Sequence, residues 1–133
     1  MNYLIDTHIL LWLALSPEKV PKAMLQVLEN PENRVFVSTV SFLEIVIKQS
    51  IGKLDLGGLE VDDLSKMCIE QDMQIIQLPI EAIKAYKNLP LKENHKDPFD
   101  RALISLCIAK NYTFLSVDEK FKQYQEEGLR LLS

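Results

Sequence analysis

The sequence predicts an α/β fold in which a mostly parallel central sheet of about five strands carries helices on both faces. Short β-branched and apolar runs alternate with longer helical segments along the whole chain. Apolar residues make up 47% of the 133 residues and charged residues 26%, as in ordinary globular proteins. No repeat, low-complexity segment or linker divides the chain, so we expect a single domain over residues 1–133.

The first three elements are a strand and two helices. Residues 2–5 form a short apolar run that ends at Asp6, which is typical of a strand. Residues 7–15 are apolar on most sides, which predicts a buried helix, and Pro17 lies just beyond its end. Residues 21–29 begin with a proline, which suits the first turn of a helix, and their apolar side chains share one face.

The middle of the chain returns to a strand and then to two more helices. Residues 35–37 are β-branched and aromatic, which favours a strand. Residues 41–51 carry a helical apolar pattern, and Gly52 is suited to end that helix. Residues 54–58 predict a loop, and the amphipathic pattern of residues 61–71 predicts the next helix.

The rest of the chain continues the same alternation. Prolines open two of its helices, at positions where a missing backbone N–H costs nothing. In order, we expect a strand at 73–78, a helix at 79–88, a polar connection at 89–96, a helix at 97–110, a strand at 113–115, a helix at 119–126 and a strand at 129–131. Strands that are separated by helices are joined by crossovers, which favours parallel pairing.

Charge restricts the class of function. The chain has 15 Lys and Arg against 19 Asp and Glu, a formal net charge of −4. This is the wrong sign for a protein that binds nucleic acid by bulk attraction. It does not exclude a nucleic-acid enzyme that has a local basic rim, particularly if bound cations reverse the charge at its site.

Cysteine usage and hydropathy restrict the compartment. Cys68 and Cys107 lack a CxxC spacing and have apolar neighbours, so we expect small core residues in a reducing compartment rather than a zinc site. The apolar stretch 9–15 is far too short to cross a membrane. No basic segment precedes it, so it is not a signal peptide, and we expect a cytoplasmic protein.

Acidic residues follow the predicted strands at the sheet edge where open α/β sheets bind their ligands. Asp6 ends the first strand, and Asp118 follows the fourth. Glu44 lies one turn into the helix after the second strand, and Asp97 and Asp100 lie in the first turn of the helix before the fourth. These five acids are far apart in sequence, but the fold brings them towards one edge.

Each acid also has a purely structural interpretation. Asp6, Asp97 and Asp118 each precede a predicted helix and are suited to cap it. Ser41 and Glu44 have the S-x-x-E spacing of a capping box. Taken one at a time, capping is the simpler explanation.

Their convergence is harder to explain by capping alone. Four ionised carboxylates at one place repel each other strongly, and divalent cations would offset that repulsion. Mg²⁺ and Mn²⁺ prefer carboxylate, water and phosphate oxygens. Metal ions held by acids support in-line displacement at phosphorus, so the pattern indicates phosphodiester hydrolysis.

Four motifs give the chain a resemblance to PIN-domain proteins of the VapC toxin type. They span nearly the whole chain in the order of that family, and the ordered set is far more specific than any one of them. They are YLIDTH from Tyr3, SFLEI from Ser41 with Lys48 and the GKL from Gly52, HKDPFDR from His95, and LSVD from Leu115 with Phe121.

The resemblance implies a PIN-like, Rossmann-like three-layer sandwich and a metal-dependent endoribonuclease, usually the toxin of a type II toxin–antitoxin pair. It implies that Asp6, Glu44, Asp100 and Asp118 are the catalytic acids, that they hold Mg²⁺ or Mn²⁺, and that a metal-activated water cleaves RNA to leave 5′-phosphate and 3′-hydroxyl ends. Asp97 is an additional acid that either caps its helix or reaches a metal through water.

Further residues near these acids have two interpretations each. Ser116 occupies a position where the family has Ser or Thr, and it either orients a water or stabilises the turn. Lys48 and Arg101 either contact RNA phosphates or pair with the acids. For His8 we expect packing at a buried helix start, and for His95 a solvated position in a polar loop.

The resemblance also implies partners: an RNA substrate, a cognate antitoxin whose tail enters the acidic cleft, often with an arginine, and a second copy in a homodimer. Residues 9–13 and 61–71 are candidate surfaces. One alternative is a PIN fold that binds RNA or protein without cleavage, although no core acid is missing. Another is a phospho-acceptor receiver domain, which the single acid after the first strand disfavours.

Overall fold

The computed structural model describes residues 1–133 and has five strands, six α-helices and two 3₁₀ segments. The strands are β1 (Asn2–Ile5), β2 (Arg34–Ser38), β3 (Gln74–Ile76), β4 (Thr113–Leu115) and β5 (Arg130–Leu132). The helices are α1 (Thr7–Leu15), α2 (Lys22–Glu29), α3 (Thr39–Ser50), α4 (Val61–Glu70), α5 (Ile80–Asn88) and α6 (Pro98–Lys110). The 3₁₀ segments are Pro17–Lys19 and Glu119–Glu127.

The sheet confirms the predicted α/β fold. Its strand order is β3-β2-β1-β4-β5, and every neighbouring pair is parallel. The predicted ends of the elements lie within two residues of the observed ones, and two differences have a clear structural meaning. The helix α3 begins two residues earlier than predicted, because the Ser38 side chain accepts a hydrogen bond of 3.1 Å from the Val40 N–H and caps it there. The last predicted helix, at 119–126, is 3₁₀ rather than α.

Side chains of alternate strand positions enter two different cores, as expected for a buried sheet. Tyr3 and Ile5 of β1 face one core, and Leu4 between them faces the other. The first core contains buried residues of α1, α2, α3 and α4. The second contains buried residues of α5, α6 and the 3₁₀ segment Glu119–Glu127. Helices therefore cover both faces, and the predicted three-layer arrangement is confirmed.

The strand order creates a switch point beside the central strand. From β1 the chain moves to one side through β2 and β3, and then crosses to the other side for β4 and β5. The Asp6 N–H donates a hydrogen bond of 3.0 Å to the Leu115 carbonyl oxygen, so the ends of β1 and β4 are joined. Ligands of open α/β sheets bind at such a switch point.

Residues 9–13, a candidate partner surface in the sequence, are partly buried. Ile9 and Leu10 are fully buried at 0% exposure, so the stretch 9–13 is mainly core. A group of exposed apolar side chains lies on α3 and its C-cap residue, spaced as one helical face and 38–58% exposed: Leu43, Val46, Ile47 and Ile51. None of the helices combines the length and the apolar character that a membrane crossing requires.

Candidate active site

Asp6 lies at the junction of β1 and α1 and uses both of its carboxylate oxygens. Oδ1 accepts a hydrogen bond of 2.7 Å from the Thr7 N–H, so the predicted cap is present. Oδ2 accepts one of 2.7 Å from the Ser116 hydroxyl. Asp6 is only 2% exposed, and this burial raises the pKa of its carboxyl. The role of Asp6 as a helix cap is therefore compatible with a role in the acid cluster.

Ser116 connects two of the acids. Its hydroxyl donates to Asp6 and accepts a hydrogen bond of 3.2 Å from the Asp118 N–H. The Asp118 carboxylate caps the following 3₁₀ segment by accepting a bond of 2.9 Å from the Lys120 N–H. Ser116 thus stabilises the turn after β4, which is one of the two roles predicted for it, and it also holds the Asp6 carboxylate.

Glu44 is the acid for which the structural explanation fails. Because α3 begins at Thr39, Glu44 is too far inside the helix for a capping box. The Ser41 hydroxyl instead accepts a hydrogen bond of 2.9 Å from the Thr7 hydroxyl, which joins α3 to α1. Glu44 is 4% exposed, its Oε2 lies 2.7 Å from Lys48 Nζ, and its Oε1 is buried with no hydrogen-bond partner.

Asp97 and Asp100 open α6 and face Glu44. One Asp97 oxygen accepts hydrogen bonds of 2.8 and 3.1 Å from the N–H groups of Phe99 and Asp100, as an N-cap does. One carboxylate oxygen from each of Glu44, Asp97 and Asp100 lies within 4.8 Å of the others. Asp97 therefore caps α6 and belongs to the acid cluster as well.

The pKa of Asp100 depends on its burial and on the charges of the other four acids. Burial and, after it, the negative charges of Asp97, Asp6, Glu44 and Asp118 raise the pKa of the Asp100 carboxyl to about 8. Asp6 and Asp118 are outside the group within 4.8 Å, yet close enough to act on Asp100. The five acids predicted from the sequence thus converge at one edge of the sheet.

The environment of Arg101 differs from both environments expected from the sequence, contact with RNA phosphates and pairing with the acids. It neither pairs with an acid nor faces solvent, because it is 3% exposed. Its guanidinium donates hydrogen bonds of 2.8 and 2.9 Å to the carbonyl oxygens of Leu89 and Pro90, and a longer one of 3.4 Å to the Tyr124 hydroxyl. Arg101 anchors the connection between α5 and α6, so it is not available to RNA.

Each of the two histidines lies in the kind of environment that was expected for the other. His8, expected to pack, is exposed on α1. His95, expected to be solvated, is 4% exposed and lies between Tyr124 and Asp100, with distances of 2.8 Å from Nδ1 to the Tyr124 hydroxyl and 3.1 Å from Nε2 to Asp100 Oδ2. Burial lowers the pKa of the His95 imidazole. The sequence signal was its position two residues before Asp97, which does not reveal burial.

Lys48 lies where the sequence predicts, one helical turn beyond Glu44. Its side chain is 42% exposed, and the hydrogen bond to Glu44 raises the pKa of its amine. It is therefore a cation at the rim of the acid cluster.

The largest cavity of the chain, about 620 Å³, is lined by residues of α3, β3 and α4 and by none of the five acids.

A family comparison decides between the possible acid-rich α/β folds. The family model described as PIN domain matches residues 3–127. The chain belongs to the PIN-domain family. This confirms the family predicted from the four motifs and excludes the receiver domain. A search of the curated protein sequences finds no match.

Solved structures share the fold of this PIN domain. One is VapBC2 from Rickettsia felis bound to a DNA fragment from their promoter, with a TM-score of 0.73, 20% identity, and coverage of 99% of this chain and 98% of that chain. VapBC-1 from nontypeable Haemophilus influenzae gives 0.70 at 17% identity, over 100% and 98% of the chains. VapBC-5 from Mycobacterium tuberculosis, a member of a family of toxin–antitoxin systems, gives 0.61 at 11% identity, over 98% and 97%.

The acids of this PIN domain fit a hard divalent cation. Carboxylate oxygens are the donors that Mg²⁺ and Mn²⁺ prefer. The unpartnered Oε1 of Glu44 is the direct structural sign, because a buried anionic oxygen without a donor is costly. The raised pKa of Asp100 is the electrostatic sign, since it records negative charge that only protons or cations can balance.

Proposed function

We propose that this PIN domain is a divalent-metal-dependent endoribonuclease, and that Asp6, Glu44, Asp100 and Asp118 form its catalytic site. The observation that carries the proposal is the buried, unpartnered Oε1 of Glu44, on a side chain that has one carboxylate oxygen within 4.8 Å of oxygens of Asp97 and Asp100. Helix capping does not explain the position of Glu44, which lies inside α3. Mg²⁺ or Mn²⁺ held there supplies positive charge for the phosphodiester oxygens and promotes ionisation of the attacking water.

The chain's own residues then have distinct tasks. Glu44 and Asp100 present oxygens to the cation from α3 and α6, and Asp97 adds negative charge directly or through water. Asp6 is held by Ser116 and Thr7, so its carboxylate has one orientation at the switch point. Lys48 extends from α3 at the rim, where its ammonium can contact an RNA phosphate when it leaves Glu44.

The proposal includes a biological setting. We infer that the chain is the toxin of a type II toxin–antitoxin pair, acts in the cytoplasm on RNA and forms a homodimer. The shared fold with VapBC structures supports the pairing, and the exposed apolar face of α3, next to Glu44 in sequence, supplies a surface for a protein partner. The free, buried thiols of Cys68 and Cys107 are compatible with a reducing compartment.

Cleavage of total RNA by the purified chain tests the activity. We expect cleavage with Mn²⁺ or Mg²⁺, none with EDTA, and none with Asp6→Asn. The matched control is Asp72→Asn, because Asp72 is exposed before β3 at the opposite end of the strands, and its left-handed φ of 59° suits asparagine. Metal-independent cleavage, or equal cleavage by both variants, would contradict the proposal, and no cleavage by folded wild type would favour the binding module.

Growth and assembly test the biological setting. Induced expression of the wild type should arrest bacterial growth, as should Asp72→Asn, whereas Asp6→Asn should not. Analytical ultracentrifugation measures the dimer directly. Arrest by Asp6→Asn would separate toxicity from the acid site and contradict a nuclease toxin.

A further inference from the structure

A chain of buried polar groups runs from the C-terminal part of the molecule to one of the proposed metal ligands. The Arg101 guanidinium lies 3.4 Å from the Tyr124 hydroxyl, which lies 2.8 Å from Nδ1 of His95. Nε2 of His95 lies 3.1 Å from Oδ2 of Asp100. Arg101, Tyr124 and His95 are 3%, 0% and 4% exposed, so water does not replace these contacts.

The direction of the hydrogen bonds in this series of polar groups follows from the chemistry of the groups at its two ends. Arginine can only donate hydrogen bonds, so the Tyr124 oxygen accepts from Arg101. The Tyr124 hydroxyl then has its own proton to give, and Nδ1 of His95, at 2.8 Å, is a nearer acceptor than the His95 carbonyl oxygen at 3.4 Å. A neutral imidazole carries one N–H, so Nε2 is the donor and points at an acid that accepts.

The histidine ring is also fixed mechanically. Phe121 and Tyr124 meet its edge or face at centroid distances of 5.3 and 5.4 Å and interplanar angles of 79° and 68°. The two carbonyl bonds of Arg101 fix the connection before His95, and a Lys92–Glu126 ion pair of 2.8 Å joins that connection to the 3₁₀ segment. The ring cannot rotate without disrupting this packing.

We propose that His95 is a positioning residue of the metal site: its Nε2–H holds Oδ2 of Asp100 and so keeps this carboxylate beside Glu44 and Asp97. The proposal rests on the function proposed above. Asp100 needs such a partner more than its neighbours do, because Asp6 and Asp97 are oriented by backbone N–H groups, whereas His95 is the one group that holds the Asp100 side chain. Hydrogen-bonded carboxylate ligands depend on such partners for their orientation.

Mn²⁺ titration of the full chain by calorimetry tests this without RNA. His95→Phe keeps the ring and removes both nitrogens, and it should weaken Mn²⁺ binding about 10–100-fold. His95→Gln places an amide N–H near the Nε2 position and should restore most of the affinity. Tyr124→Phe removes only the hydroxyl that fixes the imidazole tautomer, and should give a smaller loss in the same direction.

A stability control separates positioning from folding. Leu129→Ala truncates a buried side chain in the same core as Tyr124, so it should lower stability and leave Mn²⁺ affinity unchanged. Equal affinities for wild type, His95→Phe and Tyr124→Phe would overturn the positioning role while the proposed function stands. If His95→Phe does not fold, the Mn²⁺ affinities of His95→Gln and Tyr124→Phe still test the positioning role. If the wild-type chain does not bind Mn²⁺, both the positioning role and the proposed function are overturned.

Discussion

The Ser116 hydroxyl donates a hydrogen bond of 2.7 Å to Oδ2 of Asp6, although 110 positions separate the two residues. The sheet makes this contact, because β1 and β4 are adjacent and parallel and end side by side. With the Thr7 N–H on Oδ1, each carboxylate oxygen of Asp6, a residue only 2% exposed, has a donor. These bonds offset the desolvation of Asp6, and they also fix its orientation towards the other acids.

Removal of the Ser116 hydroxyl tests this relationship. Ser116→Ala leaves Oδ2 of Asp6 without its donor, so the free energy of unfolding of the metal-free chain should fall by about 1–3 kcal/mol. Metal-dependent RNA cleavage should fall at least tenfold, about what loss of a partner to a ligand costs. Chemical denaturation and a fluorescent RNA substrate measure the two effects. Ser116→Thr keeps the hydroxyl and serves as the control, so similar losses in both variants would count against the hydrogen bond.

Two substitutions of Asp97 separate its two roles. Asp97→Ser keeps a side chain that caps α6 and removes the carboxylate, whereas Asp97→Ala removes both. Only alanine should lower the free energy of unfolding, by about 1 kcal/mol. Both variants should lower Mn²⁺ affinity if the carboxylate serves the metal, which calorimetry measures. Wild-type affinity in Asp97→Ser would leave Asp97 as a helix cap alone.

The sequence is sufficient to predict the fold and the places of the acids in it, whereas their role as a catalytic site stays a prediction. Alternation of strand and helix patterns predicts a parallel sheet, and acids that follow parallel strands must meet at one edge. The prediction worked for Asp6 and Asp118 because their positions depend only on where a strand ends. It worked for Asp97 because cap, proline and acid spacing mark a helix start without any tertiary information.

Tertiary burial accounts for the errors. Neither the polar segment that contains His95 nor the charged start of α6 indicates that His95 and Arg101 are buried, because that burial depends on Tyr124 and on carbonyls of the α5–α6 connection. The start of α3 was displaced because Ser38, still within β2, caps it directly. The start of α3 is thus set locally, whereas the burial of His95 and Arg101 depends on residues more distant in sequence, which periodicity and local propensity do not detect.

Lys48 should affect metal and RNA in opposite directions. Its ammonium lies 2.7 Å from Glu44, so Lys48→Gln removes a cation that competes with Mn²⁺ for the carboxylate. Mn²⁺ affinity should rise about threefold, the effect of roughly 0.6 kcal/mol of charge interaction near a surface. RNA affinity should fall, and the salt dependence of RNA binding should decrease by about one phosphate contact. Calorimetry and binding titrations at several salt concentrations measure these effects.

The control for Lys48 is Lys84→Gln on α5, where the lysine is exposed and no acid of the site lies nearby in sequence. It should leave both affinities unchanged. Weaker Mn²⁺ binding in Lys48→Gln would contradict the competition argument, and unchanged RNA binding would remove Lys48 from the proposed substrate contacts.

The acid cluster should also give the metal-free chain an unusual pH dependence. The pKa of Asp100 is raised from 3.8 to about 8 in the folded chain, so between these pH values the native state holds a proton that the unfolded state has lost. When the native state binds more protons, the free energy of unfolding decreases as pH rises. Stability should therefore fall from pH 4 towards pH 8 through this group, the opposite of an ion-paired aspartate.

Asp100→Asn removes the titration and should reverse the loss. In EDTA we expect the variant to be about 1–2 kcal/mol more stable than wild type at pH 8, after allowance for solvent screening, and equal to it at pH 4. Thermal unfolding across this range measures the difference. Saturating Mn²⁺ should stabilise wild type more than the variant, because the cation replaces the proton as the balancing charge. A variant that is less stable than wild type at pH 8 would show that Asp100 contributes stability as an anion, contrary to its repulsion by the four neighbouring acids.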